Sequence, residues 1–132
     1  MLNENNIDLI KNNLIPYNKK IQIILNLAEE KNLEIYPIIL EMIDDPMYKN
    51  KMGSLIYALR NYPPNPLFAK AIDWIINGNF EVAHEAFEII NNIDQISGKA
   101  VFQSYLKIQE AITHSPDNWR VNILNELIEM FE

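Results

Sequence analysis

Apolar residues return every three or four positions along nearly the whole chain, and each run stops at a break built from Pro, Gly, Ser or Asn. That spacing is the period of an α-helix with one buried face; the strict alternation of a half-buried strand is not found. Residue choice agrees, because 22 Ile stand beside only 3 Val and 1 Thr. Strands draw on Val and Thr as readily as on Ile, so a sheet is disfavoured. The high Ile and Asn content also matches an A+T-rich genome. With 3 Gly in all, Gly-rich phosphate loops and hairpin-rich barrels are excluded.

Eight stripes follow one another. Ile7, Ile10 and Leu14 form the first, ended by Pro16, which cannot continue a helix. Ile21, Ile24, Leu25 and Ala28 form the second, closing near Asn32. The third covers residues 34–43, with Pro37 tolerated in its first turn. Asp45-Pro46 pairs an N-cap with a first-turn proline ahead of Met52, Leu55, Ile56 and Leu59. Pro63-Pro64-Asn65-Pro66 is a rigid break, and Asn65 is placed to cap a fifth helix with Leu67, Ala71, Ile72, Ile75 and Ile76. Asn77-Gly78-Asn79 lies between two helical stripes, so Gly78 reads as a left-handed C-terminal cap and Asn79 as the next N-cap. Val82, Ala83, Ala86, Phe87, Ile90 and Ile93 mark helix six, and Ser97-Gly98 interrupts the chain after it. Val101, Tyr105, Ile108 and Ile112 mark helix seven. Ser115-Pro116-Asp117 repeats the cap-then-proline start before Val121, Leu124, Leu127, Ile128 and Phe131.

The stripes pair. Asp45 and Gly78 sit in tight turns 33 residues apart, each between two apolar helices, and a third pair turns at Ser115-Pro116. A period of roughly 31 to 40 residues is the mark of helical hairpins that bury their faces on one another. A closed bundle of irregular helices would show the same stripes. The expected architecture is all-α, with about eight helices stacked as antiparallel hairpins in one domain over residues 1–132. A chain of this length can bury roughly two-thirds of its unfolded surface, so its core needs no staples.

Charge and cysteine usage narrow the function classes. With 11 basic and 18 acidic side chains the net charge is -7. The pI is near 4.8, which disfavours non-specific binding to nucleic acid or an anionic membrane. The absence of Cys removes disulfides, thiolate zinc sites and cysteine nucleophiles. No apolar run is long enough to span a bilayer, and residues 1–6 carry no basic segment of the kind that opens a signal peptide. A cytoplasmic protein is expected.

Asn79-Phe80-Glu81-Val82, followed by Ala86 and Ile89-Ile90, resembles the second helix of a HEAT repeat, in which Asp-Pro leads to Glu-Val-Arg, then Ala, then Ala-Leu. Phe80 stands where that motif has Pro, and Ala83 where it has a buried Arg. Together with residues 53–59, the stretch 76–86 resembles the small HEAT-like immunity proteins of bacterial polymorphic toxin and contact-dependent growth inhibition systems. The resemblance covers residues 34–92. It implies an α-solenoid that binds a cognate toxin and blocks it, with second helices lining the binding side.

Catalytic chemistry is thinly represented. His84 and His114 are the two histidines beside four serines, and neither a Gly-x-Ser-x-Gly elbow nor an HExxH motif occurs. Glu81-x-x-His84 has the spacing of a di-iron ligand pair, but such a centre needs the motif twice and two further Glu. Glu41, Asp44, Asp45 and Asp73 are carboxylates for an acid–base pair, though acids at helix ends ordinarily serve as caps and solvated charges. The expectation is no enzyme, no catalytic residues, no metal and no cofactor.

Charge placement is more telling. Residues 1–70 hold 8 basic and 8 acidic side chains, whereas residues 71–132 hold 3 and 10. Glu81, Glu85 and Glu88 fall at i, i+4 and i+7 on helix six, where like charges oppose one another by about 0.2–0.5 kcal/mol per pair. Such a stripe is either a solvated outer face or a docking surface for a basic partner. The expected partner is a basic toxin domain, of which a nuclease is the common kind, with carboxylates standing in for phosphates. Candidate partner-binding residues are Glu81, Glu85, Glu88, Asp73 and Asp117, flanked by Trp74, His84, Trp119 and Tyr57. Both Trp also sit beside apolar helix positions that suit core packing. Direct nucleic-acid, membrane or small-molecule partners are not expected. The alternatives are a general helical-repeat adaptor for another protein and, further off, a carboxylate- or metal-dependent enzyme.

Overall fold

Stripes become helices and breaks become helix ends. The computed structural model describes residues 2–115 and 117–132, with side chains from residue 6 onward. It contains α1 (Leu2–Lys11), α2 (Tyr17–Glu29), α3 (Ile35–Asp44), α4 (Met52–Ala58), α5 (Phe68–Asn77), α6 (Phe80–Asn91), α7 (Gly98–His114) and α8 (Asn118–Phe131). Short 3-10 segments, Pro46–Lys51, Leu59–Asn61 and Asn65–Leu67, flank α4 and α5. About 80 % of the chain is helical, and no strand occurs among the described residues. The fold is all-α. Among the described residues, no helix is long and apolar enough to cross a membrane.

The chain divides into two compact units, Met1–Tyr62 and Pro63–Glu132. The division falls at Pro63-Pro64, where two residues without a backbone N–H prevent a helix from carrying on.

In the first unit α2 packs on α1, α3 and α4. Ile24, Ala28, Ile35, Ile39, Leu55 and Ile56 are fully buried there. Leu14 does not join α1; it is 89 % exposed. The Asn12 carboxamide oxygen takes the Leu14 N–H at 2.9 Å, a local turn that competes with the helix before Pro16 is reached. On α2 the buried stripe uses Leu27 instead of Leu25. Asn32 ends this helix and starts the next. Its N–H reaches the Leu27 carbonyl while that of Lys31 reaches Ala28, which is the paired bonding of a Schellman stop. Lys31 is left-handed at φ 58°, although it is not a glycine. The Asn32 side chain then accepts from Glu34 and Ile35, and its carbonyl accepts from the Tyr62 hydroxyl at 2.6 Å. Tyr36 packs edge-on against Tyr62. Burial pushes both phenols above their ordinary range.

In the second unit α5 and α6 form a hairpin, α7 packs on α5 and α8, and α8 also reaches α5 and α6. The expectation for Gly78 needs correcting. No glycine among the described residues has positive φ, and Gly78 is extended at φ -80°, ψ 168°. Space is the reason for glycine here. A Cβ would lie 2.5 Å from the Trp74 carbonyl oxygen and run into Val82. Asn79 does cap α6, accepting the Val82 N–H at 2.9 Å. Asn65 does not cap α5: its side chain donates to the Gln95 carbonyl, and the helix is entered through the 3-10 turn.

Helix six buries Val82, Ala83, Ala86 and Ile90 as its stripe requires, with Ile89 in place of Phe87, which is half-buried; Ile93 lies past the helix end and is half-buried. Helix seven departs further. Ile108 and Ser104 are its buried residues, Tyr105 is exposed, and Val101 and Ile112 are half-buried. A strip one residue wide suffices to seat α7 on its two neighbours. At α8, Asp117 occupies the N-cap position without a side-chain cap bond, and Ser115 accepts the Asp117 N–H; Pro116 lies outside the described residues.

Two substitutions test this packing. Ala86 is fully buried, so Ala86→Asp should destabilise by roughly 2–4 kcal/mol, because an unpaired carboxylate would enter apolar packing. Unchanged stability in denaturant would mean that this face of α6 meets water. Lys31→Gly should stabilise by about 0.5–1 kcal/mol, since it removes left-handed strain at the stop. A loss of stability would refute the strained stop.

Candidate functional site

Burial of Val82, Ala83, Ala86, Ile89 and Ile90 leaves one face of α6 for solvent. Helical spacing puts Phe80, His84 and Glu88 along one ridge of that face, with Glu81 and Glu85 on the next. Phe80, Glu81 and His84 are exposed, and Glu85 and Glu88 are half-buried.

Aromatic rings gather beside the carboxylates. The Phe80 ring lies 4.1 Å from the His84 imidazole and 5.4 Å, edge-on, from the Trp119 indole of α8. Phe80 is 55 % exposed, a large open surface for an apolar ring so well surrounded. The Arg120 guanidinium also packs over the Trp119 ring, 4.4 Å from its centroid. It also donates to the Ile75 carbonyl at 2.6 Å and to Asp117 Oδ2 at 3.2 Å. Ile75 lies in the last turn of α5, where carbonyls have no helical partner. Arg120 therefore closes the end of α5 with a cation, the charge that a helix C-terminus favours. This bond fixes Trp119, and Trp119 supports Phe80.

The sequence candidates separate into three groups. Glu81, Glu85, Glu88, His84 and Trp119 come together on or beside the α6 face. Asp117 lies nearby, but its carboxylate is engaged by Arg120. Asp73 is ion-paired with Lys107 across the α5–α7 groove at 3.2 Å. That groove holds about 370 Å³ and is lined by Asp73, Ile76, Lys107, Glu110, Ala111 and His114. Trp74 is half-buried, with its carbonyl accepting the Gly78 N–H. Tyr57 belongs to the first unit, where the Arg60 guanidinium stacks 4.7 Å from its ring.

Sequence reasoning missed two members. Phe80 stood out as a departure from a motif, and its place at i to His84 was the available signal. Arg120 gave none, since its partner Ile75 is 45 residues away. In the Glu81-x-x-His84 spacing, the His84 ring packs at a tilt against Phe80. Among the described residues, no three His, Asp or Glu side chains converge to hold a metal ion. What the arrangement offers is recognition: carboxylates for a cation and rings for an apolar or planar group.

The chain matches no protein-family model, no curated protein and no solved structure.

Arg120 is open to test. Its side chain is 11 % exposed, so Arg120→Met should lower stability by about 1.5–3 kcal/mol, the range for hydrogen bonds to a charged group. Trp119 fluorescence should shift as the indole loses its stacked cation. Wild-type stability and emission together would show that Arg120 does not brace the cluster.

Proposed function

We propose that this chain is a HEAT-like immunity protein that binds one basic toxin domain and neutralises it inside the bacterial cell. The observation that carries the reading is the outward face of α6, on which three carboxylates adjoin exposed Phe80 and His84 and the half-buried Trp119. An exposed phenylalanine alone is ordinary; beside His84 and Trp119 it forms part of an aromatic patch. A docking face uses both, with the rings as desolvated anchors and the carboxylates as steering charges. The surrounding field supports this, since the unit Pro63–Glu132 contains 10 acidic and 4 basic side chains. If the toxin is a nuclease, the carboxylates occupy the positions its cationic surface keeps for phosphate. The helix pairing at repeat-like spacing fits the same family resemblance.

Replacing Glu81, Glu85 and Glu88 together by Lys separates docking from solvation. Stability should change little, because exposed and half-buried charges on one helix face are worth only tenths of a kcal/mol each. Binding to the basic product of the neighbouring gene should fall about 100-fold or more, as each desolvated charge pair contributes on the order of 1.5 kcal/mol or above. Salt should weaken the wild-type complex, since steering is screened beyond about 8–10 Å. Undiminished affinity in a folded triple variant would remove this face from the mechanism. A neighbouring basic domain that neither binds nor is neutralised would overturn the function itself.

A further inference from the structure

The first unit buries a lysine. Lys20, in the first turn of α2, is 1 % exposed, and its ammonium brings three donors and no acceptor. Among the described residues its hydrogen bond goes to the Tyr48 hydroxyl, at a long 3.4 Å. No carboxylate among them pairs with it. The Tyr17 and Tyr48 rings stand 5.9 and 6.0 Å from Nζ, at the outer limit of useful cation–π attraction. A full charge with two further N–H groups is thus weakly met by the protein's own side chains.

Beside it is a cavity of about 210 Å³, lined by Lys20, Tyr48, Asn13, Ile38, Met42 and the carboxylates of Glu41 and Asp45, with Lys11 and Ile10 completing the wall. Donors from three side chains, the Lys20 ammonium, the Tyr48 hydroxyl and the Asn13 amide, line this one cavity. Tyr48 accepts from Lys20 and so keeps its own O–H to donate. Asp45 Oδ1 is already held by the Met47 N–H at 2.9 Å, which ties that carboxylate to the chain turn and away from the ammonium.

We propose that this cavity is a binding site for a small monocarboxylate. Its carboxylate accepts from Lys20 and Tyr48, and its short apolar end lies against Ile38 and Met42. One negative charge completes the ammonium's shell. With that charge bound, Glu41 and Asp45 outnumber the remaining cation on the wall, Lys11, so the second negative charge of phosphate or a dicarboxylate is opposed. The volume limits the ligand to a few heavy atoms.

Titration of the full chain with acetate and propionate, followed by calorimetry and by thermal unfolding, tests this with chloride and inorganic phosphate as comparators at matched ionic strength. Acetate or propionate should bind saturably and raise the unfolding temperature, while chloride and phosphate should bind at least about tenfold more weakly. Lys20→Met should abolish the response, and Tyr48→Phe, which keeps the ring, should weaken it. In the wild type, the Tyr48 ring and Asn13 amide resonances should move with the same saturation curve, a readout that holds if Lys20→Met does not fold. Acetate acting no differently from chloride, or a folded Lys20→Met variant binding as tightly as the wild type, would overturn the site. Phosphate binding as tightly as acetate would overturn the ligand class.

Discussion

Everything in the second unit follows from how closely α5 and α6 can approach at their turn. Between the last residue of one helix and the first of the next there are two residues, Gly78 and Asn79. The Gly78 N–H returns to the Trp74 carbonyl, and no room is left for a Cβ between that oxygen and Val82. Close approach at the turn is continued along the helices by small residues, since Ala71, Ala83 and Ala86 are all fully buried. Methyl groups let two backbones meet where Leu would hold them apart. Once that contact is fixed, the rotation of α6 is fixed with it, and so is the set of residues left facing outward.

Helix ends were the other constraint, because eight short helices expose many unpaired backbone groups. The chain answers with side chains close in sequence. Asp45, Asn79 and Ser97 each accept an N–H at the start of the helical segment that follows, and all three positions were visible as breaks between apolar runs. Asn residues serve repeatedly: Asn12 and Asn32 close turns, while Asn61, Asn77 and Asn92 donate back to carbonyls three or four residues earlier. An Asn excess that base composition suffices to explain is therefore also used by the fold. The stop at Lys31 was not legible. Only the tertiary load on Asn32, which receives the Tyr62 hydroxyl from 30 residues away, explains why a lysine takes the left-handed position there.

The candidate site was legible in part for the same reason. Periodicity places Glu81, Glu85 and Glu88 opposite Val82, Ala86 and Ile90, so the carboxylate stripe could be read from one helix alone. Contacts between helices cannot be read in that way. Asp73 and Asp117 look equivalent to the α6 acids in sequence, yet each has a cation at 3.2 Å, Lys107 for one and Arg120 for the other. Charge counting treats all five acids alike. Packing divides them into a stripe on one helix face and two acids paired across to a cation, Asp73 with Lys107 and Asp117 with Arg120.

That division bears on how a partner would be recognised. Carboxylates already held by Lys107 or Arg120 contribute to the long-range field but offer less to a new cation, whose approach would have to displace the old one. On α6 the i+4 and i+3 spacings among Glu81, Glu85 and Glu88 add like-charge repulsion, so a basic side chain arriving among them would relieve unfavourable pairs as it makes favourable ones. Repulsion of this kind is tolerated because each pair is worth only tenths of a kcal/mol to the folded chain, whereas its relief is gained in full at an interface that excludes water. Phe80 follows the same logic. Its exposure forgoes burial in the free protein and becomes apolar area removed from water when a partner covers it. Charge and ring thus share one face, and both would be used by the same event, contact with a cationic surface that also presents something apolar.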